Sequence, residues 1–303
     1  QGLARSTQAR LHLGFVAEGY GYSISLGLPP SAEHCMFNLD PEIKHECIWA
    51  GDYYRPAASL VERAGPMVRV RVGRKWQVYT QHLNTYESML SEMGDPIATP
   101  EIHQVRHIIR SWRFYDQFRT DQNSTIRIPQ IGTRAPVLDH DGQNLVAALR
   151  TIYEIGDRAA LYTSIDDAFP GVTIGFSVDE ENRFTLEFYQ QGLLRPLKQA
   201  ELSDGTLRYL LLIAALLTPR PPPLLILNEP ETSLHPDLLP ALGRLISKAA
   251  QQTQVWVVSH AARLVANLEG NLDCNSIHIN KQLGETIICG QGMLDAPPWY
   301  WPD

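Results

Sequence analysis

The chain has 303 residues, 44% of them hydrophobic and 19% charged, and a net charge of −7 at pH 7. That is ample material for a large core in one big domain or two intimate ones, and the acidic balance gives no global basic footprint of the kind duplex-DNA binders carry. The longest apolar stretch, Leu207 to Leu217, is interrupted by Arg208 and too short to span a bilayer, and no signal-peptide pattern opens the chain.

Leu11 to Leu28 alternates apolar and polar residues about Gly19-Tyr20-Gly21, which reads as a β-hairpin. Strand-like pieces follow at Glu46–Trp49, Met67–Val72 and Trp76–Thr80, so the opening third is expected to be a mostly antiparallel sheet. At Thr99-Pro100-Glu101 the pattern becomes helical: threonine as N-cap, proline at N1 and an acid in the first turn. Ile102, Val105, Ile109 and Trp112 give this helix an apolar face, with Arg106, Arg110 and Arg113 elsewhere. Those arginines read either as a solvated side or as a DNA-contacting one.

Asp139 to Gly142 is a turn, and Asn144 to Ile155 reads as a second helix. Thr173–Val178 and Arg183–Tyr189 flank the acidic turn Asp179-Glu180-Glu181-Asn182 as a second hairpin. From there the order is helix (Asp204–Leu217), strand (Leu224–Leu227), helix (Asp237–Ala250), strand (Gln254–Val258) and helix (Ala261–Leu268). Strands alternating with helices imply a parallel sheet, with its active site at the carboxyl ends of the strands. The expected organisation is an antiparallel β part over residues 1–85, a helical lobe over 86–170 and a parallel-sheet part over 171–303.

Three motifs carry chemistry. Leu202-Ser203-Asp204-Gly205-Thr206 opens the apolar helix, whose free amides and partial positive charge suit a phosphate; the same residues also serve as a plain N-cap. Leu224–Leu227 is a buried strand delivering Asn228 and Glu229 to its end. Glu229 is placed to be a general base for a water attacking a γ-phosphate. The residue before such a glutamate normally helps to hold Mg2+. Asn228 can still hydrogen-bond a metal-bound water, but a neutral bond contributes about 1 kcal/mol where a charged one contributes roughly 1.5–3. The third motif, Val255 to His260, ends a second buried strand in Ser259-His260 and puts an imidazole beside the phosphate. Ser203 precedes Glu229 by 26 residues (229 − 203) and His260 follows it by 31 (260 − 229). Each gap holds one helix and a loop, as neighbouring parallel strands require.

These residues resemble a known family. Leu202–Thr206 is similar to the ABC signature, Leu224–Glu229 to a Walker B strand, Pro230–His235 to a D-loop and Ser259-His260 to the switch histidine. Asn228–Pro236 resembles stand-alone bacterial AAA-family ATPases with an ABC-type head, relatives of the RecF and chromosome-maintenance proteins, and Asp139–Leu145 resembles their DGxNL segment. The resemblance implies an α/β fold: an ABC-type P-loop ATPase head with an N-terminal antiparallel β subdomain and a helical lobe. It implies ATP and Mg2+ as cofactors and a homodimer formed head-to-tail around two ATP molecules. Glu229 and His260 would be catalytic and Asn228 would reach the metal through water. Ser203, Asp204, Gly205 and Thr206 would meet the nucleotide held by the partner subunit, and Ser233 and His235 would lie at the interface. Asp204 stands where the common signature has its second glycine, and is expected to turn its acid aside to cap the helix.

One family feature is missing. No GxxxxGK[ST] phosphate loop occurs anywhere, and the pairs Gly19/Gly21 and Gly290/Gly292 have no following Lys-Ser or Lys-Thr. The chain begins with Gln1, so two readings stand: the loop belongs to a segment before Gln1, of whose helix Gln1–Ser6 would be the tail, or the chain lacks it. Cys35, Cys47, Cys274 and Cys289 have no metal-ligand spacing and read as reduced thiols of a cytoplasmic protein. Arg220 to Pro223 reads as a stiff connector. The aromatic run Pro297–Pro302 reads as a tail packed on its own head or docked on a partner, and Arg119, Arg127 and Arg134 as a solvated face or a phosphate path. The functional expectation is an ATP-hydrolysing switch coupled to DNA maintenance or anti-phage defence. A non-hydrolysing nucleotide sensor or scaffold for a partner effector is the alternative, and a transporter motor a third; no membrane association is expected.

Overall fold

A computed structural model describes residues 10–29, 37–271, 273–282, 284–290 and 302. Gln1–Ser6, Cys35, Gly292 and the aromatic run from Pro297 to Trp301 lie outside the described residues. The chain divides into two units, residues 1–110 with 290–303, and residues 111–289.

The first unit is built on a six-stranded antiparallel meander: β1 (Arg10–Ala17), β2 (Tyr20–Gly27), β3 (Glu42–Ala50), β4 (Ser59–Ala64), β5 (Met67–Val72) and β6 (Lys75–Thr80), in that order. The first hairpin turns at Glu18-Gly19, one residue before the expected centre, because Tyr20 and Gly21 pair with Ala17 and Val16. Both turn residues have positive φ (51° and 79°), the two-residue geometry that matches the right-handed twist of flanking strands. Strand β4 escapes sequence reading because its inward residues are Ser59, Val61 and Arg63, a set whose polarity hides the alternation. A short helix α1 (Met89–Glu92) and helix α2 (Pro100–Ser111) complete the unit. Helix α2 buries Ile102, Val105 and Ile108, with Ile109 only partly covered.

At the centre of this sheet Glu46 and Arg63 are cross-strand partners and both are fully buried, with Arg63 Nη1 2.7 Å from Glu46 Oε2. Their remaining capacity is taken up. Tyr22 Oη (2.7 Å), Ser88 Oγ and the Met89 amide (3.0 Å) donate to Glu46, while Arg63 donates to the carbonyls of Gly65 (2.9 Å), Asn84 (2.7 Å) and Glu87. Burial and the Glu46 charge both push the Tyr22 phenol up.

The second unit contains β7 (Arg113–Tyr115), β8 (Gln130–Ile131), α3 (Leu145–Ile155), α4 (Arg158–Ala168), β9 (Thr173–Val178), β10 (Arg183–Tyr189), β11 (Leu197–Lys198), α5 (Asp204–Leu216), β12 (Leu224–Asn228), α6 (Leu239–Ala249), β13 (Gln254–Val258), α7 (Ala262–Glu269), β14 (Ile279–Gln282) and β15 (Glu285–Ile288). Strands β13, β12 and β7 form a parallel sheet in that order, and β8 to β11 form an antiparallel one centred on β10. Helix α5 buries every residue from Leu207 to Leu216, which is how a helix apolar on all sides is accommodated. It packs against α3, α4 and α6. Helix α4 gives a weak sequence signal: it buries only Ala160, Leu161 and Ile165, and its start is fixed by Asp157 accepting from the Ala160 amide at 2.8 Å.

One face of the parallel sheet meets this core through Leu225 and Leu227. On the other face Phe114, Ile226 and Trp256 line up in register across the three strands. Phe114 and Trp256 are 46% and 58% exposed.

Candidate functional site

Strand β12 runs between two parallel neighbours and delivers its polar end beside theirs. The Glu229 amide continues the ladder by donating to Val258 O at 2.8 Å. Glu229 itself has φ of 45°, a left-handed backbone that costs a non-glycine residue energy and recurs at functional sites. Its carbonyl accepts from Arg208 Nη2 at 3.4 Å. The side chain faces the third motif: Glu229 Oε1 lies 3.5 Å from His260 Nε2, both groups open to solvent. The three strand-end residues Asn228, Glu229 and His260 are thus gathered at one end of one small sheet.

Glu231 is a residue the sequence reading passed over. Its Oε1 accepts from Ser259 Oγ (2.7 Å), the His260 amide (2.9 Å) and the Ala261 amide (3.1 Å). One carboxylate therefore ties the turn after β12 to the turn after β13 and fixes the backbone of the histidine. The signal was available in the sequence only as a second acid two residues after Glu229, which has no periodicity of its own.

Asn228 is also held in a way no local pattern announces. Its Nδ2 donates to Asp116 Oδ1 at 2.7 Å, and Asp116 follows β7 directly. The side chain on the far side of the strand end is therefore a carboxylate.

The signature residues form the start of α5. Ser203 is its N-cap and accepts from the Thr206 amide at 3.1 Å, with Thr206 Oγ1 2.8 Å from Ser203 Oγ. Asp204 does not cap the helix as expected. Its carboxylate turns to Arg127, 2.6 Å from Nη2, since Ser203 already fills the capping role. Arg127 also donates to the carbonyls of Thr120 (2.9 Å), Ala200 (3.1 Å) and Leu202 (2.7 Å). It is a clamp on the signature loop, not part of a solvated face. Arg119, by contrast, pairs within its own loop with Asp121, and Arg134 is exposed.

A Cβ on Gly205 would meet Ser233 O at 3.0 Å, so the start of α5 and the turn after β12 approach closely within the chain. Ser233 has φ of 64°, and His235 caps the short turn Pro236–Leu238 through Nδ1, which accepts from the Asp237 amide at 3.3 Å. The Asp139–Leu145 segment packs under the same helix. Gly142 (φ 76°) leaves no room for a Cβ, which would lie 2.5 Å from Leu211 Cδ2.

Arg208, one turn into α5, is 7% exposed, and its Nε has no hydrogen-bond partner. Burial pushes this guanidinium below its ordinary range, against the opposing pull of Glu231, Asp116 and Glu229.

Among the described residues no three His, Cys, Asp or Glu side chains converge as a protein-held metal site does. Among the described residues no helix is long and apolar enough to cross a membrane.

The profile of the family described as "AAA domain, putative AbiEii toxin, Type IV TA system" matches residues 80–266, more than half of the chain. A comparison with curated proteins gives no match. Solved structures matched by the chain include the Smc head domain with a coiled coil and joint derived from Pyrococcus yayanosii, 15% identical with a TM-score of 0.38 over 48% of this chain and 28% of that one. They also include the SMC head domain from Thermotoga maritima, 12% identical with a TM-score of 0.39 over 89% of this chain and 73% of that one. The SmcHead bound to the C-winged helix domain of ScpA is 10% identical, with a TM-score of 0.43 over 89% of this chain and 74% of that one.

Proposed function

We propose that the chain, which belongs to this AAA-domain family, is an ABC-type P-loop ATPase head and a Mg2+-dependent ATPase acting as a head-to-tail homodimer. The observation that carries the reading is the gathering of Asn228, Glu229 and His260 at the carboxyl end of the parallel sheet. Glu229 acts as general base on the water that attacks the γ-phosphate. His260, with its backbone fixed by Glu231, senses the phosphate and steadies the Glu229 carboxylate. Ser203 and the free amides at the start of α5 meet the γ-phosphate held by the partner subunit, with Asp204 neutralised by Arg127. Gly205 and Thr206 complete that contact, and Ser233 and His235 line the subunit interface. When bound, Mg2+ neutralises phosphate charge, and Asn228 orients one of its waters.

The phosphate cradle is the part these 303 residues do not supply, since they contain no GxxxxGK[ST]. The open row Phe114, Ile226, Trp256 supports a further strand and helix covering that face, because parallel sheets are buried on both sides. We assign the cradle to such a segment. For the setting of the switch, the family description names a putative AbiEii toxin of a type IV TA system, and we read the setting as anti-phage defence. The net charge of −7 lends no support to DNA maintenance. A second reading, a non-hydrolysing sensor or scaffold for a partner effector, is favoured by the neutral Asn228.

Glu229→Gln separates the two. Under the ATPase reading this variant loses at least about 100-fold in turnover and accumulates as an ATP-bound dimer in size-exclusion chromatography with light scattering. Equal rates for the variant and the wild type leave the sensor reading.

A further inference from the structure

Two parallel strands end side by side here with their usual chemistry exchanged. On β12 the residue before Glu229 is a neutral amide, Asn228; on β7 the residue after Tyr115 is an acid, Asp116. The register pairs Leu227 with Tyr115, so Asn228 and Asp116 occupy adjacent positions at the carboxyl ends. Only the NH2 of an amide can donate to a carboxylate, so the 2.7 Å contact from Asn228 Nδ2 to Asp116 Oδ1 leaves the amide oxygen as a free acceptor. Asp116 retains its second oxygen and is exposed at the rim of the site.

The electrostatics of the surroundings point to a cation. Arg208 is more than nine-tenths buried and lies within electrostatic reach of Glu231, Asp116 and Glu229. One guanidinium against three carboxylates leaves a surplus of negative charge. A divalent ion that brings its own waters and the nucleotide's phosphates completes that balance with one or two protein carboxylates. Glu229 is committed as base, and Glu231 spends one oxygen on Ser259, His260 and Ala261 while its other oxygen is buried. Asp116 is the acid that stands exposed at the strand ends beside Asn228, where a nucleotide-bound metal can reach it.

We propose that Asp116 supplies the protein carboxylate that steadies nucleotide-bound Mg2+, and that Asn228 holds it in position. The carboxylate has moved from the strand that bears the base to the neighbouring strand, and the hydrogen bond between them keeps it at the same strand-end location. This inference rests on the ATPase reading above.

The test uses the full polypeptide and a metal-binding readout. Mn2+ is titrated by electron paramagnetic resonance in the presence of a non-hydrolysable ATP analogue, and affinity for a fluorescent ATP is measured separately in EDTA. Asp116→Asn should weaken Mn2+ binding by about 10- to 100-fold while nucleotide affinity in EDTA stays within about twofold. Asp116→Glu should recover part of the loss. The exchange Asp116→Asn with Asn228→Asp, which returns the acid to β12 and keeps a hydrogen-bonded pair, should restore most of it. Wild-type Mn2+ affinity in Asp116→Asn, or an exchange variant as weak as the single one, overturns the assignment while leaving the ATPase reading intact. A polypeptide that binds no nucleotide in either condition removes the ATPase reading, and this assignment with it.

Discussion

The Glu231 carboxylate accepts a hydrogen bond from the His260 amide at 2.9 Å, so the turn that follows β12 holds the backbone of the histidine just beyond β13. The same oxygen takes Ser259 Oγ and the Ala261 amide. Glu229 and His260 are therefore not two independent strand ends: Glu231, two positions after the first, ties its turn to the backbone of the second, and their side chains lie 3.5 Å apart.

Glu231→Ala leaves three donors without their acceptor. Unfolding in urea should show a loss of about 1–3 kcal/mol, and ATP turnover should fall by about tenfold or more as His260 loses its fixed position. Glu231→Gln keeps an acceptor oxygen and should lie between the two. Wild-type turnover in the alanine variant would remove Glu231 from the account of the site.

Arg127 gives a different signature. It holds the loop before α5 at Ala200 and Leu202 and neutralises Asp204. On the proposed function, in which Ser203 and its neighbours meet nucleotide held by the partner, Arg127→Ala should cut turnover by about tenfold or more with little change in ATP affinity of the isolated subunit. Asp204→Ala and Arg127→Ala should be non-additive, with a coupling of about 0.5–3 kcal/mol in a double-mutant cycle. Strict additivity would mean that the 2.6 Å pair contributes nothing beyond its separate parts.

The buried pair in the first unit predicts an asymmetric cost. Arg63→Met strands the fully buried Glu46 carboxylate with Tyr22, Ser88 and the Met89 amide but no cation. Chemical denaturation should show a loss of about 3–5 kcal/mol, and adding Glu46→Gln should recover much of it, because breaking one partner of a buried pair costs more than removing the pair. A double variant no more stable than Arg63→Met would contradict that reading.

What was legible in advance followed from local rules. The hairpin of Thr173–Val178 with Arg183–Tyr189 matches β9 and β10 residue for residue, and Gln254–Val258 matches β13, because alternation and turn residues are written within a few positions of one another. Helix α5 was legible for the same reason, its cap and its unbroken apolar run being contiguous. Where inward residues are polar, as in β4, or the buried stripe is thin, as in α4, the same rules gave nothing.

By itself, then, the sequence determined the helices and strands that carry the motifs and which residues end them: Asn228 and Glu229 at the end of β12, His260 just beyond β13, Ser203 at the head of α5. Only the tertiary structure decided what those residues hold. Asn228 finds Asp116 from 112 positions away, Asp204 finds Arg127 from 77, and the Glu231 carboxylate finds the His260 amide from 29. Such pairs leave no periodic trace, because a side-chain hydrogen bond reports which strand ends become neighbours, and crossover connections bring together residues that no local pattern links.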